Sequence, residues 1–285
     1  MIEQLAHLLG YSFVQNMLMA GVLVAVVAGL TSRFVVARGM SFAVHALAEV
    51  GFTGSVGFLL LGLSPVFGLL TGSMVTALVI GGLGLRIRER DSVVGLVMAF
   101  GLGLGVLFLS LYSRYATEAI ALLFGAITSV SSGDLVLLTV VAVITTVGLG
   151  AMYRPLTFAT VDPIVAEARG VPVRLISILF LMLLAAAVAE AVQVVGVLLI
   201  LTLLITPGAT AERLTAHPGQ ATAWSVVIAL LATEGGIVLA LVTAAPVSFF
   251  VTTIAFICYV AARVGAPAVD RLRGVLGVRG VASSE

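Results

Sequence analysis

The sequence predicts an all-α, polytopic membrane bundle, and three observations carry that prediction. Of 285 residues, 61% are hydrophobic and only 9% are charged, far from the roughly 25% charge of a soluble domain. Mean hydropathy is +1.26. The apolar residues fall in runs of about twenty, the length at which a helix rising about 1.5 Å per residue crosses a hydrocarbon layer of about 30 Å. A fully helical chain of this length would reach about 430 Å, so with loops it has room for roughly seven to ten crossings.

Nine runs follow in order, and arginine, proline or glycine marks the breaks between them. The first, 12–32, stops at Arg33 and Arg38, and the second, 42–62, stops before Ser64-Pro65. The third, 65–85, ends at Arg86, Arg88 and Arg90, and the fourth, 92–112, follows Asp91. The fifth, 134–152, ends at Arg154, and the sixth, 174–193, opens after Pro172. The seventh, 196–211, ends at Arg213, the eighth, 221–243, follows Pro218, and the ninth, 247–265, follows Pro246. The apolar stretch 117–130 is too short to cross and reads as a half-helix or re-entrant piece. The whole of 1–285 reads as one membrane domain, with spans over 12–265 and a tail over 266–285.

Positive residues in short loops stay on the cytoplasmic side. With the amino terminus outside, nine crossings put every arginine inside except Arg114. Merging 174–211 into one bent crossing gives eight and strands the arginine-bearing tail outside, so nine is the expected number. The start of the chain carries Glu3 and His7 and no basic segment, so no cleaved signal peptide is expected. The predicted location is the cell (inner or plasma) membrane, with many passes.

Composition also excludes functions. All 14 basic residues are arginine, and a P-loop needs a lysine on its phosphates, so the chain does not hydrolyse ATP by that route. A net charge of +1 gives no basic face for nucleic acid. Cys258 is the one cysteine, which leaves no intrachain disulfide or cysteine-rich zinc site. The 31 glycines, many inside spans as at Gly81, Gly82, Gly101, Gly103 and Gly105, predict close helix packing.

A charged group at mid-bilayer costs about 2.5–3.5 kcal/mol on insertion scales, so each needs a reason. In the second span His45 and Glu49 lie four apart, one turn apart on one helical face, and Ser41 and Thr53 extend the stripe. Imidazole nitrogen and carboxylate oxygen suit zinc, manganese and iron, and two copies of the chain could supply four such ligands. The alternative is that the pair hydrogen-bonds itself or a neighbouring helix. An intramembrane metalloprotease would need a second histidine where Glu49 stands. Glu190 and Gln193 fall near the outer end of the sixth span, where Glu190 is expected to reach the interface, and Glu234 lies deeper in the eighth. His7 and His217 fall at water-facing positions.

The break at 153–173 contains Asp162-Pro163, a helix cap followed by proline at the first helical position, and Gly170 as a stop. A capped helix of about two turns is expected there, either resting on headgroups or docking a cytoplasmic partner.

These residues resemble a known family. The loop Glu167-Ala168-Arg169-Gly170-Val171-Pro172 and the segment from Val194 through Pro207 to Thr210 resemble the permease subunits of ABC-type zinc, manganese or iron importers. Arg90-Asp91-Ser92 with Gly95, and Leu123 to Gly125 followed by Asp134-Leu135, fit the same pattern, and the resemblance covers about 12–265. The family's second-span pattern carries aspartate and histidine as its proposed metal pair. Here His45 stands at the aspartate position and Glu49 at the histidine position, so the order is exchanged. Thr53 stands where that pattern has proline. The resemblance implies a non-catalytic transport subunit with no permanent cofactor, a divalent ion (Mn, Zn or Fe) as cargo and a homodimeric core. It also implies cytoplasmic ABC ATPase subunits and an extracytoplasmic metal-binding protein. It makes 163–169 the coupling helix, with Asp162, Glu167, Arg169 and Gly170 in its loop. Import of a metal chelate or another small solute, and an ion-coupled carrier using Glu49, Glu190 and Glu234 as a proton relay, are the other readings.

Overall fold

A computed structural model describes residues 10–83, 87–111, 130–243 and 245–275. Among them the chain forms α1 (Ser12–Ala37), α2 (Ser41–Leu60), α3 (Pro65–Leu83), α4 (Ile87–Leu111) and α5 (Ser132–Val161). The short α6 (Pro163–Ala168) then leads to α7 (Val173–Val195), a 3-10 turn (Val197–Leu199), α8 (Ile200–Leu214), α9 (Pro218–Thr243) and α10 (Val247–Val275). The expected half-helix at 117–130 lies, except for Val130, outside the described residues, as do His7 and Arg114.

Side-chain contacts fix the direction of each helix. Arg33 near the end of α1 reaches Thr222 near the start of α9, and Gly21 of α1 faces Glu234 and Ile237 of α9, so these two run antiparallel. Arg38 donates to Ser177 at the start of α7, which therefore begins at the α6 end of the bundle. Gly81 of α3 packs on Ile178 of α7, and Val66 of α3 lies with Gln193 of α7, so this pair is antiparallel as well. By contrast α2 and α4 run parallel, with Gly101 on Val50, Gly105 on Thr53, and Gly57 on Phe108. Of the glycines expected at close contacts, Gly82 and Gly103 instead face open space.

Eight described helices are long and apolar enough to cross a membrane, and the expected seventh span, 196–211, is not among them. In its place stand the 3-10 turn and α8, which has 15 residues and Pro207 inside it. Since α7 ends at the face opposite α6 and α9 starts at the α6 end, these two pieces carry the chain back across the bundle. Fifteen helical residues and three 3-10 residues rise about 28 Å, close to the hydrocarbon thickness. The Gly208 amide of α8 donates to Ser32 Oγ at 2.8 Å and fixes this return against the last turns of α1.

Two expected boundaries move. Residues 153–161, read as a break because of Arg154 and Pro155, continue α5, where Leu156 is wholly buried and Ala159 nearly so. Burial of that face holds the helix through the one donor that proline removes. The last helix runs ten residues beyond the expected span end at 265. At its other end α5 opens with a capping box, the Asp134 amide donating to Ser131 Oγ at 3.2 Å and the Ser131 amide to Asp134 Oδ2 at 3.1 Å.

Candidate functional site: the polar face of α2

The helix α2 is unbroken from Ser41 to Leu60, so its i, i+4 geometry holds through the polar stripe. His45 Nε2 and Glu49 Oε1 are 3.0 Å apart. His45 is about a third exposed and Glu49 about a sixth, so the pair is partly accessible on α2. Each side chain keeps one more polar atom, His45 Nδ1 and Glu49 Oε2, buried and without a hydrogen-bond partner. One nitrogen and one oxygen per chain are thus unspent on the same face. Ser41 is half-buried at the start of the helix. Thr53 points differently: buried against α4, its hydroxyl meets the Gly101 carbonyl at 2.9 Å and the Glu49 carbonyl at 3.2 Å. It pins two helices together.

The remaining carboxylates do not join this pair. No group of three or more histidine, cysteine, aspartate or glutamate side chains comes together among the described residues. Glu190 does not reach an interface, as expected from its place near the helix end, but is 3% exposed. It lines a small apolar cavity with Gln193, Leu70 and Leu138 because neighbouring α3 and α5 extend past it. Glu234 is half-buried over Gly21, between α1 and α9. His217 is exposed in the turn between α8 and α9.

At the α6 end, Asp162 caps α6 by accepting from the Val165 amide at 2.9 Å, with Pro163 at its first position. Gly170 takes φ +83, a left-handed value that glycine adopts without steric cost. Ala166 is the buried anchor of α6, while Ile164, Val165, Glu167 and Arg169 stand in the open. Exposed apolar side chains followed by an acid and a base suit docking to another protein.

A group of residues that sequence reasoning did not single out also gathers there. Arg33 and Phe34 of α1, with Arg38 just after it, meet Tyr153 of α5, Ser177 and Phe180 of α7, and Thr222 of α9. Arg33 carried a signal, being a charge at the very end of an apolar run, but one that topology alone accounted for. The aromatic partners look like any other apolar residue of a span.

Comparison with known proteins gives this arrangement its context. The profile of the ABC 3 transport family matches residues 10–265. The manganese transport system membrane protein MntC of Halalkalibacterium halodurans is 33% identical over 210 residues, covering 73% of this chain and 72% of that protein. The high-affinity zinc uptake system membrane protein ZnuB of Haemophilus influenzae is 24% identical over 223 residues, 78% of this chain and 85% of that one. Among solved structures, PsaBC from Streptococcus pneumoniae in complex with Fab superposes with a TM-score of 0.81 at 25% identity, over 92% of this chain and 95% of that one. The helix order, the α6 loop and the family match therefore agree, and this multi-pass plasma-membrane protein belongs to the ABC 3 transport family.

Proposed function

We propose that this chain is the membrane-spanning permease subunit of an ABC importer for a divalent transition metal, and that His45 and Glu49 are ligands of the ion on its way through. The single observation supporting the ligand role is that His45 and Glu49, paired through Nε2 and Oε1 at 3.0 Å, each keep a further polar atom, Nδ1 and Oε2, buried without a hydrogen-bond partner. Ionisable groups left partly exposed within a membrane span are expensive, so another protein surface covers this one. A second copy of the chain, bringing its own His45 and Glu49, covers it with matching chemistry. Manganese and zinc, the metals named for its relatives, both accept imidazole and carboxylate ligands. ATP hydrolysis belongs to separate cytoplasmic subunits docked on α6, because the chain has no lysine for a P-loop. An extracytoplasmic binding protein delivers the ion at the opposite face.

The test is ion uptake by the full complex in proteoliposomes. His45→Ala and Glu49→Gln should each lower Mn²⁺ and Zn²⁺ uptake by more than about tenfold, the loss that changing even a group one layer out from a metal brings. Expression and assembly should stay near normal. The exchange His45→Asp with Glu49→His should restore part of the uptake, since one nitrogen and one oxygen stay on the same face. Full uptake by the His45→Ala, Glu49→Gln double variant would assign the pair a purely structural duty.

A further inference from the structure

The coupling reading of α6 leaves open how a push on that helix reaches α2, and the residues at the end of α1 supply a route. Phe34 is 1% exposed and stands between the two helices that flank α6. On one side its ring meets Tyr153 of α5 edge-on at 5.8 Å and 78°; on the other it meets Phe180 of α7 at 5.9 Å and 62°. Ring pairs in such edge contacts gain stability beyond their buried area, and that gain depends on the mutual orientation of the rings.

The two neighbouring arginines lock the same junction. The Arg33 guanidinium lies 5.1 Å from the Phe34 ring centre and donates to Tyr153 Oη and Thr222 Oγ1, each at 3.5 Å. Thr222 gives its own proton to the Pro218 carbonyl, so the 3.3 Å contact between Tyr153 and Thr222 has tyrosine as donor. Arg38 lies 5.6 Å from the Phe180 ring centre and donates to Ser177. Two residues beyond Tyr153, Pro155 removes one helical donor from α5 between the junction and α6.

The corner from α1 into α2 is equally tight. Only Arg38, Gly39 and Met40 separate the helices, and the Met40 amide donates to the Val35 carbonyl at 2.8 Å. His45 follows one turn after Ser41 opens α2.

We infer that Phe34, with Arg33 and Tyr153, is a latch that transmits displacement of the coupling helix to the His45–Glu49 face, acting as a set of positioning residues for transport. The inference rests on the importer reading above. Coupling carried by a packed junction of this kind depends on a discrete contact geometry, not on volume alone.

The experiment compares ATP hydrolysed per Mn²⁺ ion transported by the full complex in proteoliposomes, alongside equilibrium Mn²⁺ binding to the purified complex. Phe34→Leu keeps an apolar side chain but loses both edge contacts, and Tyr153→Phe keeps the rings but loses the hydroxyl. Phe34→Leu should raise ATP consumed per ion by roughly tenfold, within the range of ordinary coupling energies, with Tyr153→Phe in the same direction and Mn²⁺ binding unchanged. A residue that only stabilised the fold would lower hydrolysis and transport together and leave their ratio alone. If Phe34→Leu fails to assemble, Tyr153→Phe decides. An unchanged ratio in a wild-type complex that does transport Mn²⁺ would overturn the latch alone, whereas a wild-type complex that transports no metal would overturn the importer reading and the latch with it.

Discussion

At the scale of single residues, where a polar side chain's hydrogen bonds go separates one committed to packing from one with an atom still unpaired. Thr53 spends its hydroxyl on Gly101 of α4, while His45 and Glu49, two turns and one turn earlier, each hold an atom in reserve. The i, i+4 spacing made the latter pair legible in the sequence, because helical geometry alone brings such residues together. The partner of Thr53 is a main-chain carbonyl 48 residues away, which no local pattern encodes. Gly208 is a third case: a Cβ there would stand 2.5 Å from the Ser32 carbonyl carbon and 2.7 Å from the Arg33 nitrogen, both backbone atoms that yield little. Gly208→Ala should therefore destabilise the protein by about 1–3 kcal/mol, the usual cost of overpacking. Thermal unfolding of the detergent-solubilised complex would register this as a lower midpoint, and an unchanged midpoint would mean that α8 shifts freely against α1.

At the scale of elements, α6 was legible because capping is local chemistry: Asp162, Pro163 and Gly170 mark its start and stop within nine residues of sequence. The continuation of α5 to Val161 was not. Arg154 and Pro155 break an apolar run, yet leaving the hydrocarbon layer is not leaving the helix, and burial of Leu156 decides the matter. The tail of α10 repeats the lesson, its helix passing the end of the apolar run by ten residues. If α6 docks an ATPase subunit, Glu167→Lys reverses an exposed charge beside Ile164 and Val165 and should abolish uptake while the permease still folds. Gly170→Val should act alike, because a β-branched residue at φ +83 costs about 1–2 kcal/mol and re-aims the loop. Pull-down of the ATPase subunits with each variant checks this; normal binding and normal uptake in both would remove α6 from the docking surface.

At the scale of the whole molecule, the number of crossings sets which face every loop occupies. Apolar length gives eight helices, and the contacts of α1, α7 and α9 require a ninth passage through the 15-residue α8. The arginine distribution pointed to that passage because a tail with several arginines resists translocation. The apolar run 196–211 was legible in the sequence, but the 3-10 turn at its start leaves α8 only 15 residues, with flanks buried in protein instead of lipid. Irregular backbone at membrane depth is tolerated under that condition. The connection at Leu63, between α2 and α3, and the turn at His217, between α8 and α9, are both exposed. Five passages separate them if α8 crosses and four if it does not, so the two sites lie on opposite faces or on the same one. In a Cys258→Ala background, an impermeant maleimide applied to intact cells should label Leu63→Cys and leave His217→Cys unmodified until the membrane is opened. Labelling of both from outside would reduce the molecule to eight crossings and place the start of α9 on the same face as the connection between α2 and α3.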